Sequence, residues 1–517
     1  MWRMRRFALA AVSLVAACLI VAPAASAGPF SAGDTVQVSG NSPIPEGCIG
    51  DEDASESSVN SFNSEVEPYV SVDPSDPLHM VGAWQQDRWN DGGARGLVTA
   101  ASFNGGQSWT LNADTKSSIC TGGTPANGGN YQRASDPWTA ISPDGTTYLM
   151  SLSVDTNPGG IGLSPNAMLV MRSEDGGVTW DDPTTLKRDE NPNVLNDKNT
   201  MTADPHDSDF AYAVWDRLAA PPGEPPAPAA GENAIGYRGP TWFSRTTDGG
   251  DTWEPARKIF DPGTVNQTIG NQIVVTGSGD LVNAFDLIHN FQNAQGVRGF
   301  NIAVIRSEDN GETWSSRTIV DKHFSFQGVV RDPEDLGSTG RVRTGDILPE
   351  VASDLDNERV YLVWQDMRFG PRSSVAFSQS DDGGKTWSPT VKINQTPDLP
   401  NDLNEQAFTP MVRVSDDGTV TVTYYDFRNN TPTADLPTDA WAIHCHPATD
   451  DCSDPDGWTD EVRLTDESFD MTQAPFAGGY FVGDYVGLDT DGTQFFPFWS
   501  MPHGDDPASV FVRPVGP

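Results

Sequence analysis

Basic residues are scarce in this chain. Its 517 residues carry 32 Lys and Arg against 72 Asp and Glu, a formal charge of −40. That balance excludes binding to nucleic acid or anionic membrane surfaces through a basic face. It leaves a highly solvated acidic surface, whose acids could also collect divalent cations. Cysteine is rare, with five residues. Beyond the N-terminus no stretch reaches 18 unbroken apolar residues, so no segment reads as a membrane span. Three catalytic signatures are missing: a His-Glu-x-x-His zinc helix, a phosphate-binding Gly-Lys loop and a Gly-x-Ser-x-Gly elbow. The seven histidines are scattered and form no ligand set. No metal and no cofactor is therefore expected, structural calcium being the one alternative.

The N-terminus reads as a targeting segment. Arg3, Arg5 and Arg6 precede an apolar run over 7–21, and Ala25-Ser26-Ala27 offers small residues for cleavage. Residues 1–27 are read as a secretory signal peptide, which makes the protein secreted and extracellular. Arg5-Arg6 admits twin-arginine export as well as the general route. Losing three arginines and no acid takes the charge from −40 to −43. Cys18 leaves with this segment, and four cysteines remain. An even number in an exported chain favours disulfides. Cys445 and Cys452 are near neighbours and are expected to pair, which leaves Cys48 with Cys120. The alternative, a metal site combining Cys445 with His444 and His446, lacks a second spaced ligand pair.

What the chain has in abundance is one short pattern. It recurs as 102–109 (SFNGGQSW), 173–180 (SEDGGVTW), 246–253 (TTDGGDTW), 307–314 (SEDNGETW) and 380–387 (SDDGGKTW). Recurrence at intervals of roughly 60 to 75 residues marks a copied supersecondary unit. Glycine at the centre tolerates positive φ. The Asp or Asn (Asn104, Asp175, Asp248, Asp309, Asp382) holds the turn by accepting backbone N–H bonds. The closing Trp109, Trp180, Trp253, Trp314 and Trp387 are expected to pack between strands of their own sheet. Asp456-Gly457-Trp458 reads as a decayed further copy.

Each pattern sits in a longer unit of short alternating strands separated by turn residues, which argues for an all-β fold. First strands are expected at 68–73, 136–142, 200–204, 272–276, 349–354, 410–415 and 485–489. That makes seven units, with six as the alternative count. The seventh runs out after a third strand near 509–513, and residues 35–39 (TVQVS) can supply the fourth. The expectation is one domain over 28–517: a β-propeller of four-stranded blades closed by an N-terminal strand.

The eight-residue hairpins resemble the Asp-boxes, or bacterial neuraminidase repeats, of the sialidase superfamily. The resemblance spans most of the chain beyond residue 27. It implies that the box residues are structural and lie on the face away from the active site. The opposite face then carries the chemistry. Second strands end there in an acid–arginine pair: Asp87-Arg88, Asp216-Arg217, Asp366 with Arg368, Asp426 with Arg428. Loops into first strands add Glu67, Asp136, Lys198, Asp346, Glu405 and Asp484, followed by Tyr485. Sialidases grip a substrate carboxylate with an arginine triad, attack with a glutamate-assisted tyrosine and use an aspartate for protons. The resemblance implies a glycan-active hydrolase of the exo-sialidase kind. Tyr485, Asp484, Glu67, Asp136 and Glu405 are then the catalytic candidates, and Arg88, Arg217, Arg368 and Arg428 the substrate-binding ones. The departures are a seventh unit and the lack of a Phe/Tyr-Arg-Ile-Pro motif, so each assignment is positional. Two other classes stay open: a non-catalytic propeller binding carbohydrate or protein, and a polysaccharide lyase. The partner is a glycan and the chain is expected to be a monomer. Two insertions, at 219–231 and 429–437, flank the same face.

Overall fold

The computed structural model describes residues 30–517 except 53, 157–162, 221–237, 265, 290–298, 326–328, 332–340, 398–402 and 432. The targeting segment read at 1–27, and most of the insertion at 219–231, lie outside the described residues.

Among the described residues the strands gather into consecutive antiparallel units of a β-propeller. The first strands of these units are Glu65–Asp73, Arg133–Ile141, Val194–Ala203, Asn266–Val275, Glu350–Ser353, Ala407–Val414 and Gly487–Thr490. Each packs on the next, and the last returns to the first. They are the inner strands of the ring. In the last unit Gly487–Thr490, Phe495–His503 and Asp506–Val512 pair in order, and Val36–Gln37 lies on the outer edge. There Val36 faces Val512 and Gln37 faces Phe511. The first and second units are also joined edge to edge through Ala94 and Ala134.

Strands here are buried on both faces, because every sheet is covered by a sheet on each side. Thr147–Thr156 shows the pattern: Tyr148, Met150, Leu152 and Val154 join the large core around the axis, while Leu149 turns to the core shared with the first unit. Period-2 alternation therefore separates two neighbours rather than core from solvent. Val70, Val98, Phe498 and Val510 form the corresponding core between the last and first units.

Side chains stitch neighbouring inner strands to one another around the axis. Val72 N–H donates to Asp489 Oδ2 at 2.8 Å. Thr202 donates to Ile273 O at 2.7 Å, and Ser353 to Val275 O at 2.7 Å. Gln272 Oε1 accepts from Val351 N at 2.8 Å.

The eight-residue turns follow one hydrogen-bond plan. In 173–180, Ser173 Oγ donates to Asp175 Oδ1 at 2.8 Å and accepts from Gly177 N at 2.8 Å. Asp175 accepts from Thr179 N at 2.8 Å and Thr179 Oγ1 at 2.7 Å. Asp248, Asp309 and Asp382 take the same bonds from Thr252, Thr313 and Thr386. Asn104 accepts from Ser108 N at 3.0 Å. The tryptophans reach further than the sequence reading expects. They wedge against the preceding sheet: Trp109 on Phe498, Trp253 on Tyr148, Trp314 on Phe243 and the divergent Trp458 on Phe377. Two glycines make room for that approach. A Cβ on Gly311 would meet Phe243 at 2.6 Å, and one on Gly250 would meet Tyr148 at 2.7 Å.

Cys48 is bonded to Cys120 and Cys445 to Cys452, so Cys445 is not a metal ligand. No described group of three or more His, Cys, Asp or Glu side chains is arranged to hold a metal ion. No described helix is long and apolar enough to cross a membrane.

Candidate functional site

The upper ends of the inner strands, opposite the eight-residue turns, share one distortion. Glu67, Asp136, Lys198, Gly270 and Thr409 all have left-handed φ, between 47° and 67°. At each the pairing with the second strand skips, as between Val66 and Tyr69 or Asp197 and Thr200. The residue that follows is Pro or Asn every time: Pro68, Pro137, Asn199, Asn271 and Pro410. A left-handed backbone is costly for a residue with a β-carbon. Such a bulge re-aims its side chain out of the strand's alternation. In three successive units that side chain is ionisable, and all three aim at one point.

The point is the ammonium of Lys198. Its Nζ donates to Asp484 Oδ2 at 2.8 Å and lies 3.7 Å from Glu67 Oε1 and 3.9 Å from Asp136 Oδ2. All four residues are buried. Arg343 grips Asp484 with both edges of its fork, Nε to Oδ1 at 3.0 Å and Nη2 to Oδ2 at 2.5 Å. Arg88 Nη1 donates to Gln85 Oε1 at 2.6 Å, and Gln85 Nε2 donates to Glu67. The Phe481 ring lies under both guanidinium groups, 5.2 Å from Arg88 and 4.6 Å from Arg343. Asp136 is oriented by Ser135 Oγ at 2.7 Å and by Lys198 N at 3.1 Å. The cleft among Glu67, Arg88, Asp136, Asp197, Lys198 and Arg343 measures about 30 Å³. That is room for a water molecule.

The two carboxylates nearest Lys198 are driven apart. Burial pushes Glu67 up to about 8, against the pull of Lys198. Burial opposes ionisation of Asp484 as well, but Arg343 and then Lys198 outweigh it and hold that carboxyl far below the usual range. Burial thus favours the protonated form of Glu67, while the two cations favour the anion of Asp484. Burial also lowers Arg88.

Arg343 comes from a segment with no counterpart in the other units. Arg341–Arg343 pairs with Val329–Arg331, and Arg343 N donates to Tyr480 O at 2.9 Å. The segment then crosses the axis, where Ile347 and Leu348 enter the central core. It tethers the fifth unit to the loop before the last inner strand.

The other candidates are placed as follows. Tyr485 is 4 % exposed, and its hydroxyl donates to Pro137 O at 3.2 Å. Its ring leans on Trp138, and burial among carboxylates pushes the phenol well up. Glu405 is buried in the single turn Leu403–Glu405 ahead of the sixth inner strand. Arg217 forks onto Asp189 of the preceding sheet at 2.9 and 2.7 Å. Arg368 is held by Asp366 at 3.0 Å and by Asp321. Arg428 is held by Asp426 at 2.5 Å and by Glu461, and stacks on Trp441. Of the four arginines, Arg88 joins the Lys198 cluster. Asp216, beside Arg217, turns the other way and fixes the next bulge through Gly270 N at 2.9 Å and Asn271 Nδ2 at 2.6 Å.

Lys198, Gln85, Phe481 and Arg343 carry no role in the sequence reading. Lys198 had a signal, since it occupies the position of Glu67 and Asp136 at the mouth of an inner strand. Arg343 had none, because its segment breaks the repeat.

No protein-family model matches this chain, and no curated protein sequence matches it. Similar chain paths occur among solved structures. The Hadza microbial sialidase Hz136 aligns over 85% of this chain and 74% of its own, at 13% identity and a TM-score of 0.45. An alpha-L-arabinanase of Penicillium chrysogenum, complexed with arabinobiose, aligns over 72% and 94% at 14% identity and 0.40. A Trypanosoma rangeli sialidase mutant displaying trans-sialidase activity aligns over 74% and 54% at 13% identity and 0.39.

Proposed function

We propose that the chain is a secreted seven-bladed propeller, its ring closed by residues 35–39, and a glycan-active hydrolase working on the face opposite the eight-residue turns. One observation carries this reading: Glu67 and Asp484 stand beside the same ammonium with their acidities driven in opposite directions, up for Glu67 and down for Asp484. Carboxyl groups driven apart in this way are how one site supplies an acid and an anion together. Glu67 gives its proton to the leaving glycosidic oxygen. Asp484 faces the positive charge that develops on the sugar, as nucleophile or as base for water. Lys198, donating to Asp484 Oδ2, holds that carboxyl as the anion. Within this class an acidic sugar is the favoured substrate, because Arg88, Arg343 and Lys198 converge where Arg217, Arg368 and Arg428 do not. A sugar ring exceeds the present cleft, so the productive complex requires the Arg343 side chain to swing off Asp484.

The test is a panel of fluorogenic sialosides and arabinofuranosides. Hydrolysis of one of them is expected, falling about a hundredfold or more in Glu67→Gln and in Asp484→Asn. It is expected to survive in Arg217→Ala. The rate should decline as pH passes about 8, where Glu67 loses its proton. Silence across the panel, or full activity in Glu67→Gln, overturns the reading. A non-catalytic carbohydrate- or protein-binding propeller is then favoured, consistent with the bond from Tyr485 to Pro137 O.

A further inference from the structure

The axial channel is far roomier than the cleft at the Lys198 cluster: it measures about 560 Å³ and opens on the face of the eight-residue turns. All seven inner strands contribute to its wall. Its inner end is closed by a layer of buried side chains that includes Tyr69, Trp138, Met201 and Tyr485. The channel and the Lys198 cluster are therefore separate spaces with separate entrances.

We infer that this channel is a binding site for an uncharged, hydroxyl-rich small molecule, one or two sugar rings in size. The inference does not depend on the hydrolase reading. Its volume lies within the range of small-molecule sites. Charge selects the class. At the mouth stand Asp73, Asp354, Asp356, Asp416 and Asp491, which repel an anion. In the depth Arg413, the sole lysine or arginine in the wall, balances Asp489, so no unmatched carboxylate is left there to hold a cation. Arg413 Nε lies 3.6 Å from Asp489 Oδ1, and Arg413 also donates to the Tyr69 hydroxyl. A fork of donors thus stands beside an acceptor pair with no net charge. Val412 O and the Tyr69 hydroxyl take two of the five Arg413 N–H groups, and Asp489 is shared by Val72 N, Thr490 N and Arg413 itself. The remaining capacity matches adjacent hydroxyls, each of which both gives and takes a bond. Trp138, stacked on Tyr69 with centroids 3.7 Å apart, supplies an apolar wall for the C–H face of a ring.

The experiment uses the full mature chain, with titration calorimetry and tryptophan fluorescence, Trp138 being the reporter. The probes are L-arabinose, D-galactose and lactose, with N-acetylneuraminate as the anionic arm and D-glucosamine as the cationic one. A neutral probe is expected to bind at millimolar concentration or better. Ala203→Trp, which fills the channel, is expected to weaken it by about tenfold or more. Arg413→Lys keeps the charge and loses the fork, and is expected to do the same. Circular dichroism confirms that each variant is folded. The inference fails if no neutral probe binds, if the charged probes bind in their place, or if neither channel variant weakens binding.

Discussion

Removing the ammonium at the centre of the cluster is the most informative perturbation. In Lys198→Met the chain keeps a side chain of similar length at the same bulge. Asp484, Glu67 and Asp136 lose the cation that lies 2.8, 3.7 and 3.9 Å away. Breaking a buried ion pair by deleting one partner costs about 3–5 kcal/mol. Arg343 still grips Asp484, so the expected loss is at the lower end, about 3 kcal/mol. Unfolding entropy of about 2 cal/mol/K per residue over roughly 490 residues amounts to about 1 kcal/mol/K, so Tm should fall by about 3 °C. The pH dependence is the sharper criterion. Arg343 and Lys198 depress Asp484 below its unfolded value, so this stabilisation is present above the unfolded carboxyl pKa of about 3.9 and fades as pH falls below it. The gap between wild type and variant should be full at neutral pH and narrow progressively below about pH 4. Differential scanning calorimetry at neutral and acid pH measures both. An unchanged Tm at neutral pH, or a gap that widens on acidification, would refute the claim that Lys198 stabilises by neutralising carboxylates.

Two further outcomes test the frame around the site. Glu65 accepts from Ser39 Oγ at 2.9 Å and Gln86 Nε2 at 2.6 Å, and burial pushes it up to about 8. Its unfolded counterpart ionises near 4.5, so stability drains away as pH rises between the two values. Glu65→Gln should match wild type near pH 5 and exceed it by a few kcal/mol at pH 8, measured by urea unfolding. Gly82→Ala would place a Cβ 2.5 Å from Phe498 Cζ, across the contact between first and last units. A loss of about 1–3 kcal/mol is expected, relieved by adding Phe498→Leu.

The repeat was legible because five of the units state their own punctuation. Ser173, Asp175, Gly177, Thr179 and Trp180 fix a complete turn within eight residues, so local sequence suffices. The reach of Trp253 or Trp314 onto the preceding sheet was not legible, because it depends on how sheets stack. The acid–arginine pairs show why a repeated polar motif misleads. Asp216 and Arg217 are consecutive on a strand, so their side chains leave on opposite faces. Asp216 serves the next bulge, and Arg217 serves Asp189 on the other side. Sequence gives the pair but not which neighbour each member meets. Glu67, Asp136 and Asp484 were nameable from their place near the starts of inner strands, although Glu67 and Asp136 lie at bulges inside theirs and not in loops ahead of them. Their convergence on Lys198 was not, since it rests on a left-handed turn of the backbone in three units at once. Arg343 enters from outside the repeat and left no periodic trace.

The pairing of Val36 and Gln37 with Val512 and Phe511 has a consequence in time. Val510 N donates to Ser39 Oγ across 471 positions of chain, so this edge forms only after two distant segments have met. Until then two sheets hold raw edges, the kind that capture strands from other molecules. The sheets between them can form earlier, yet this pairing cannot form while either segment is missing. A nick anywhere near either end should release both at once.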